Sequence, residues 1–148
     1  MSDKVVQNYR ARGFECLCGN ARMAARAVTS FYDEGLRPSG LRATQLAVLW
    51  AVVALPGATI KAIAKCIAMD ATTLTRNLRV MADDGLVELA EGEDRRERAV
   101  RPTAKGRRLF AKAMPLWEQT QARFARLSGQ DTAAMNRLLL AISRPARK

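Results

Sequence analysis

Between Thr59 and Thr103 the spacing of apolar residues changes period twice, and this limits the folds open to the chain more than any other feature. Two short helical stretches come first. Thr59 can cap "IKAIAKCIA" and Asp70 can cap "ATTLTRNLRVMADD", because each sets a side-chain oxygen ahead of a run of helix formers. In the second stretch Leu74, Leu78 and Met81 recur at helical spacing, and Gly85 supplies the stop. The other face carries Thr72, Thr73, Arg76 and Arg79. Leu86 and Val87 then enter an extended run, "EGED" has turn composition, and "RERAV" leaves it. That is the pattern of a β-hairpin with a charged tip. Pro102 has to lie at a strand end or edge, since it cannot donate to a ladder.

Longer helices flank this segment. Phe14, Leu17, Ala21, Ala24, Val28 and Phe31 alternate spacings of three and four, which predicts a helix over 14–36 with one packed seam. "GLRPSGL" breaks it. Thr44 is the expected cap of a second helix through Leu46, Val48, Leu49, Trp50, Val52 and Val53, apolar nearly all round and so expected to be buried. Thr103 can cap a long helix with Leu109, Phe110, Ala113, Leu116, Trp117, Thr120, Phe124 and Leu127 on one side. Pro115 should kink it. Asp131 can cap a final helix bearing Met135, Leu138, Leu139 and Ile142.

The expected fold is mainly α with a small β-wing: a winged helix-turn-helix with long N- and C-terminal dimerisation helices. Residues 1–40 would give the N-terminal helix of the dimerisation region, 41–103 the winged lobe, and 104–148 the C-terminal dimerisation helices. The terminal helices are longer than a small winged core can cover, and the apolar seam left over predicts a homodimer.

Lysine and arginine number 25 against 14 acids, a formal charge of +11 in 148 residues. That balance suits a nucleic-acid partner. A solvated basic surface is the alternative. Histidine is absent, which removes histidine-based acid–base chemistry and the commonest metal ligand. No apolar run approaches the ~20 residues of a membrane span. No secretory signal is visible either, so reduced thiols in a cytoplasm are expected. Neither a cofactor nor a metal is called for, and the chain is not expected to be an enzyme.

In such a lobe the second short helix enters the major groove, roughly 12 Å wide. Thr72 and Thr73 are short enough to approach phosphates or base edges, and Arg76 and Arg79 can reach guanine or phosphates. The wing tip "EDRRER", with Asp94, Arg95, Arg96 and Arg98, can set an arginine in the minor groove. An ordinary amphipathic helix with a solvated polar face is the competing reading of residues 70–85.

"DATTLTRNLRVMADDGLVELAEGEDRRERAVRPTAKGRRLF" resembles the core of the MarR family of bacterial transcription regulators, and "LRATQLAVL" resembles its second helix. The element order fits over most of residues 14–142. The wing pattern D-x-R followed by T-x-x-G stands here as Asp94-Arg95-Arg96 and Thr103 to Gly106. The resemblance implies an obligate homodimer binding pseudo-palindromic double-stranded DNA operators, usually as a repressor. By position it places Thr72, Thr73, Thr75, Arg76 and Asn77 on the recognition helix, Arg96 in the minor groove and Asp94 as the acid that orients it. Pro102 departs from the family's usual leucine before the threonine.

The resemblance also implies release by a small anionic aromatic ligand or by an oxidant. Trp50, Trp117 and Arg22 are candidates for a ligand pocket. The two tryptophans can equally be core residues. Cys18 falls where the organic-hydroperoxide-sensing branch carries its reactive cysteine, and Tyr32 falls on one of that branch's two tyrosines. The second tyrosine position holds Arg22. Cys18 can alternatively be a small buried apolar residue. Cys16 and Cys18 face different ways if both are helical, since residues two apart are turned by ~200°. Two further functions stay open: a redox sensor centred on Cys18, and a winged-helix dimerisation module of a larger enzyme system.

Overall fold

The computed structural model describes residues 15–91 and 98–143. Among the described residues, six α-helices and one antiparallel strand pair follow in the order α1 (Leu17–Leu36), a 3-10 turn (Arg37–Ser39), α2 (Ala43–Ala54), α3 (Ile60–Cys66), α4 (Ala71–Asp83), β1 (Val87–Glu91), β2 (Arg98–Pro102), α5 (Ala104–Ser128) and α6 (Thr132–Ser143). The fold is therefore mainly helical with a two-stranded wing, as the periodicity predicts.

Capping explains most of the boundaries. The Thr59 hydroxyl accepts from the Ala62 N–H at 3.2 Å, the Asp70 carboxylate from Thr73 at 2.8 Å, and the Thr103 hydroxyl from Gly106 at 3.0 Å. The Asp131 carboxylate accepts from Ala133 and Ala134 at 2.9 and 3.0 Å. Each satisfies donors that the first helical turn leaves without partners. Gly85 takes a left-handed φ of 68° just beyond α4, a conformation that favours glycine.

Two boundaries differ from the expectation. Helix α2 starts after Arg42, not Thr44, because the carboxylate of Asp33 on α1 accepts from the Ala43 N–H at 2.6 Å. Among the described residues α1 begins at Leu17, not 14, and Cys16 is its N-cap, with extended backbone and its Sγ accepting from the Gly19 N–H at 3.4 Å. The assumption that Cys16 and Cys18 are both helical therefore fails. Helix α5 runs as one 25-residue element through Pro115.

The core lies where α2, α3, α4 and the wing meet α5. Leu36, Leu49, Val52, Ile63, Leu74, Leu78, Met81 and Val100 are all buried there. Helix α2 is not buried all round: Thr44, Ala47 and Trp50 face outward. In the wing Val87 pairs with Pro102 and Glu91 with Arg98, so the proline sits at the strand end as required. A bridge between Thr59 and Ala99 ties the wing to the turn ahead of α3.

Helices α1 and α5 cross closely at Gly35. A Cβ there would meet the Thr120 side chain, at 2.9 Å from its Cγ2 and 3.0 Å from its Cβ. Around this crossing Phe31, Tyr32 and Phe124 pack ring against ring, and the Arg123 guanidinium lies 4.7 Å from the Phe31 centroid while pairing with Glu34 at 3.5 Å. Beyond it the chain is open. Every α1 residue from Leu17 to Ala27 is exposed, and α6 buries none of its residues.

Candidate nucleic-acid interface

Helix α4 is built to show one face. At ~100° per residue, Leu74, Leu78 and Met81 fall within an arc of about 60° and point into the core. Thr72, Thr73, Arg76, Arg79 and Val80 fall on the opposite side, and all five are exposed. The helix is held at both ends. Asp70 caps its start, and the Arg76 guanidinium adds to the hydrogen bonds from Thr73 that hold the Asp70 carboxyl below its usual range. At its end the Gly85 N–H donates to the Ala82 carbonyl at 2.8 Å, and the Leu86 N–H to Met81 at 2.8 Å.

Thr103 fixes the rest of the lobe to that end. Its hydroxyl donates to the Gly85 carbonyl at 2.6 Å while accepting from Gly106, and its N–H donates to the Leu86 carbonyl at 3.1 Å. Lys105 adds a bond from its ammonium to the Asp84 carbonyl at 2.7 Å. Gly106 is required here, because a Cβ would run into the Leu86 carbonyl, with its carbon 3.0 Å away. The T-x-x-G pattern is thus a joint between α4, the wing and α5.

The sequence candidates divide as follows. Thr72, Thr73, Arg76 and Arg79 share the outward face of α4. Thr75 lies on its flank, half-buried, with its hydroxyl donating back to the Ala71 carbonyl at 2.7 Å, a bond that competes with any outside acceptor. Asn77 is also half-buried, and its amide reaches the Met69 sulfur at 3.7 Å. Arg98 is exposed at the start of β2. Asp94, Arg95 and Arg96 lie outside the described residues.

Within one chain the switch candidates do not converge. Trp50 and Trp117 pack edge to face at 5.1 Å between ring centroids, and Phe110 joins them at 5.7 Å from Trp50. The pair is thus an aromatic cluster joining α2 to α5, with the Trp50 ring at its outer edge. Arg22 stands on the exposed first half of α1, outside this cluster. Cys18 is exposed, not buried. Tyr32 donates its hydroxyl to Gln121 of α5, and burial raises its pKa. Fourteen positions apart on one helix, Cys18 and Tyr32 stand ~21 Å apart along the axis, so they could meet only across an antiparallel dimer.

Two features of this region carry no periodicity signal and come only from the fold. Gln45 on α2 donates to the Asp84 carboxylate at 3.4 Å, and its carbonyl accepts from the Arg42 N–H at 3.0 Å, fastening the start of α2 beside the end of α4. A groove of about 410 Å³ lies between these ends, with Arg42, Thr44, Asn77 and Val80 on its walls.

A helix-turn-helix with a wing, its second helix pinned by the core and polar on its open side, defines the class: a winged-helix DNA-binding protein. Comparison with known proteins places it further. A model of the MarR family matches residues 39–97. A crystal structure of the M. tuberculosis transcriptional regulator MosR in complex with DNA shares 41% sequence identity, covering 86% of this chain and 93% of that one, with a TM-score of 0.78. The transcriptional repressor CouR bound to a 23-mer DNA duplex shares 26% identity over 90% of this chain and 96% of that one, with a TM-score of 0.77. An uncharacterized HTH-type transcriptional regulator of Bacillus subtilis (strain 168), YwoH, is 32% identical over 77 residues, which are 52% of this chain and 56% of that protein. The chain spans little more than half the length of that curated relative. The chain belongs to the MarR family of transcription regulators. Among the described residues no helix is long and apolar enough to cross a membrane.

Proposed function

We propose that this protein is a cytoplasmic repressor, not an enzyme, that binds a pseudo-palindromic operator as a homodimer and is released by a small anionic aromatic ligand or an oxidant. The observation that carries this is the outward face of α4, where Thr72, Thr73, Arg76 and Arg79 stand free of the core that anchors the helix. The DNA-bound state of MosR supports the same partner. Two such helices about a two-fold axis would read half-sites roughly 34 Å apart. A salt titration of operator binding tests the reading. With six to ten phosphates contacted, affinity should fall by about 10³ to 10⁵ between 50 and 200 mM salt, and a slope near zero refutes it.

The dimer is supported by what the single chain leaves uncovered. Leu138, Leu139, Leu140 and Ile142 of α6 are exposed, as are Leu127 at the end of α5 and Leu17 and Met23 of α1. So many large apolar side chains left exposed on the terminal helices favour an interface over a solvated surface. Sedimentation equilibrium should return twice the mass of one chain; a single-chain mass at micromolar concentration overturns the dimer.

For release, Cys18 is the candidate sensor thiol: it is exposed in the single chain and adjoins Leu17 of the proposed interface. Peroxide should lower operator affinity in the wild type and not in Cys18→Ser. Equal release in the mutant excludes Cys18, and a panel of aromatic acids tested in the same assay examines the ligand route.

A further inference from the structure

One exposed residue on the open face of α4 is apolar. Val80 is 57% exposed, on the side of the helix opposite Leu74, Leu78 and Met81. Isolated exposed apolar side chains are common and need no explanation on an ordinary surface. Val80 does not lie on an ordinary surface. With Thr73 and Arg76 it forms a continuous stripe, since residues three, four and seven apart share a helix face. From Thr73 to Val80 the stripe is ~10 Å long, about the length of three base-pair steps. On its flank the groove toward Arg42 and Thr44 leaves the two methyls uncovered by the protein itself.

A valine offers neither donor nor acceptor, so it cannot bond a phosphate or a polar base edge. In a major groove it has one favourable partner, the 5-methyl group of thymine, the only apolar group that base pairs present there. We propose that Val80 is a base-specificity residue that selects thymine by packing its methyls against that group, one position per half-site. This rests on the DNA-binding reading above and adds to it a contact made by a side chain that has no donor or acceptor to spend elsewhere. Removing one buried methyl corresponds to about fourfold in affinity, since ~0.8 kcal/mol is lost per buried carbon and 1.4 kcal/mol is tenfold. With both half-sites changed the loss is roughly fifteenfold by the same constants.

The test uses the full-length protein and a duplex enriched by it from a random pool. Each thymidine of the half-sites is replaced in turn by deoxyuridine, which removes only the methyl, and binding is followed by fluorescence anisotropy. The wild type should lose about fourfold at one thymine of each half-site. Val80→Ala should bind the parent duplex more weakly and make no distinction between thymidine and deoxyuridine there. Val80→Thr, which keeps one methyl at the same branching, should retain part of the distinction. Because Val80 is exposed, circular dichroism should show both variants folded. A wild type indifferent to deoxyuridine at every position overturns the inference, as does a Val80→Ala variant that keeps the wild-type ratio. A random pool from which the wild type enriches nothing overturns the DNA-binding reading itself.

Discussion

Replacing Gly35 by alanine tests the close approach of α1 to α5. The added Cβ would lie inside contact distance of the Thr120 Oγ1 and at 2.9 and 3.0 Å from Cγ2 and Cβ, so α1 and α5 would have to separate or Thr120 turn. Thr120 is itself buried and bonds the Leu116 carbonyl at 2.7 Å, so its rotamer is not free. Overpacking of this kind costs about 1–3 kcal/mol. Alanine's better helix propensity offsets at most about 1 kcal/mol, and less here because Gly35 is in the last turn of α1. A net loss of roughly 1–2 kcal/mol follows from those two terms. Urea unfolding at one fixed protein concentration, with coincident transitions by fluorescence and circular dichroism, reads it out. The decisive measurement is the cycle with Thr120→Ala, which removes both Oγ1 and Cγ2. Alone it should cost about 1 kcal/mol for the small void, and in the double variant the Oγ1 and Cγ2 contacts are gone, leaving only the 3.0 Å approach to the Cβ of residue 120. The two changes should therefore be non-additive by 1–2 kcal/mol, well beyond the ~0.5 kcal/mol scatter of independent sites. Additive effects would refute the close crossing of α1 and α5.

Three more outcomes are expected. Thr103→Ala removes a hydroxyl that bonds both Gly85 and Gly106, and should destabilise the protein by about 1–2 kcal/mol in the same urea assay; an unchanged midpoint would deny the joint. Asp70 has a lowered carboxyl pKa in the fold, so its contribution is present above the unfolded value and is lost as pH falls through the folded one. Thermal melts of Asp70→Asn should accordingly lose part of the wild type's melting-temperature drop between pH 5 and pH 2, and identical pH profiles would contradict that sign. Arg76→Ala should weaken operator binding, and comparison across operator variants shows how. A uniform loss with the salt slope reduced by ~1 marks a phosphate contact, whereas relaxed preference at one base marks guanine readout; no change in either removes Arg76 from the interface.

Much of this architecture was legible in the chain because it depends on neighbours in sequence. Thr59, Asp70, Thr103 and Asp131 announce their helices with side-chain oxygens within three residues of the bonds they make. Leu74, Leu78 and Met81 fix which way α4 turns, and hence which side can meet DNA. The misses are of a different kind. Helix α2 begins at Ala43 because its cap comes from Asp33, ten residues back on another helix. Cys16 ends α1 through a sulfur, an acceptor outside the usual set of capping residues. Trp50 and Trp117 met as an aromatic cluster because α2 lies along α5, a tertiary fact with no local sign. Thr75 matched the recognition-helix pattern by position, yet its hydroxyl turns back into its own helix. Val80 passed unnoticed because an apolar residue in a helix is assumed to face the core.

The Thr103 joint has a mechanical consequence. Helix α5 leaves it as a rod of 25 residues, ~37 Å long. Its near end is bonded to Gly85 and Leu86, just beyond α4, so the two helices are tied at that point. A lever of that length exchanges displacement for angle: about 3 Å of movement at the far tip is about 5° of swing at the fulcrum. The tip, near Leu127, lies among the exposed apolar residues, while the fulcrum abuts the face that would meet a base pair. In the proposed dimer, a change of that size in the spacing of the two subunits would swing both recognition helices relative to successive grooves.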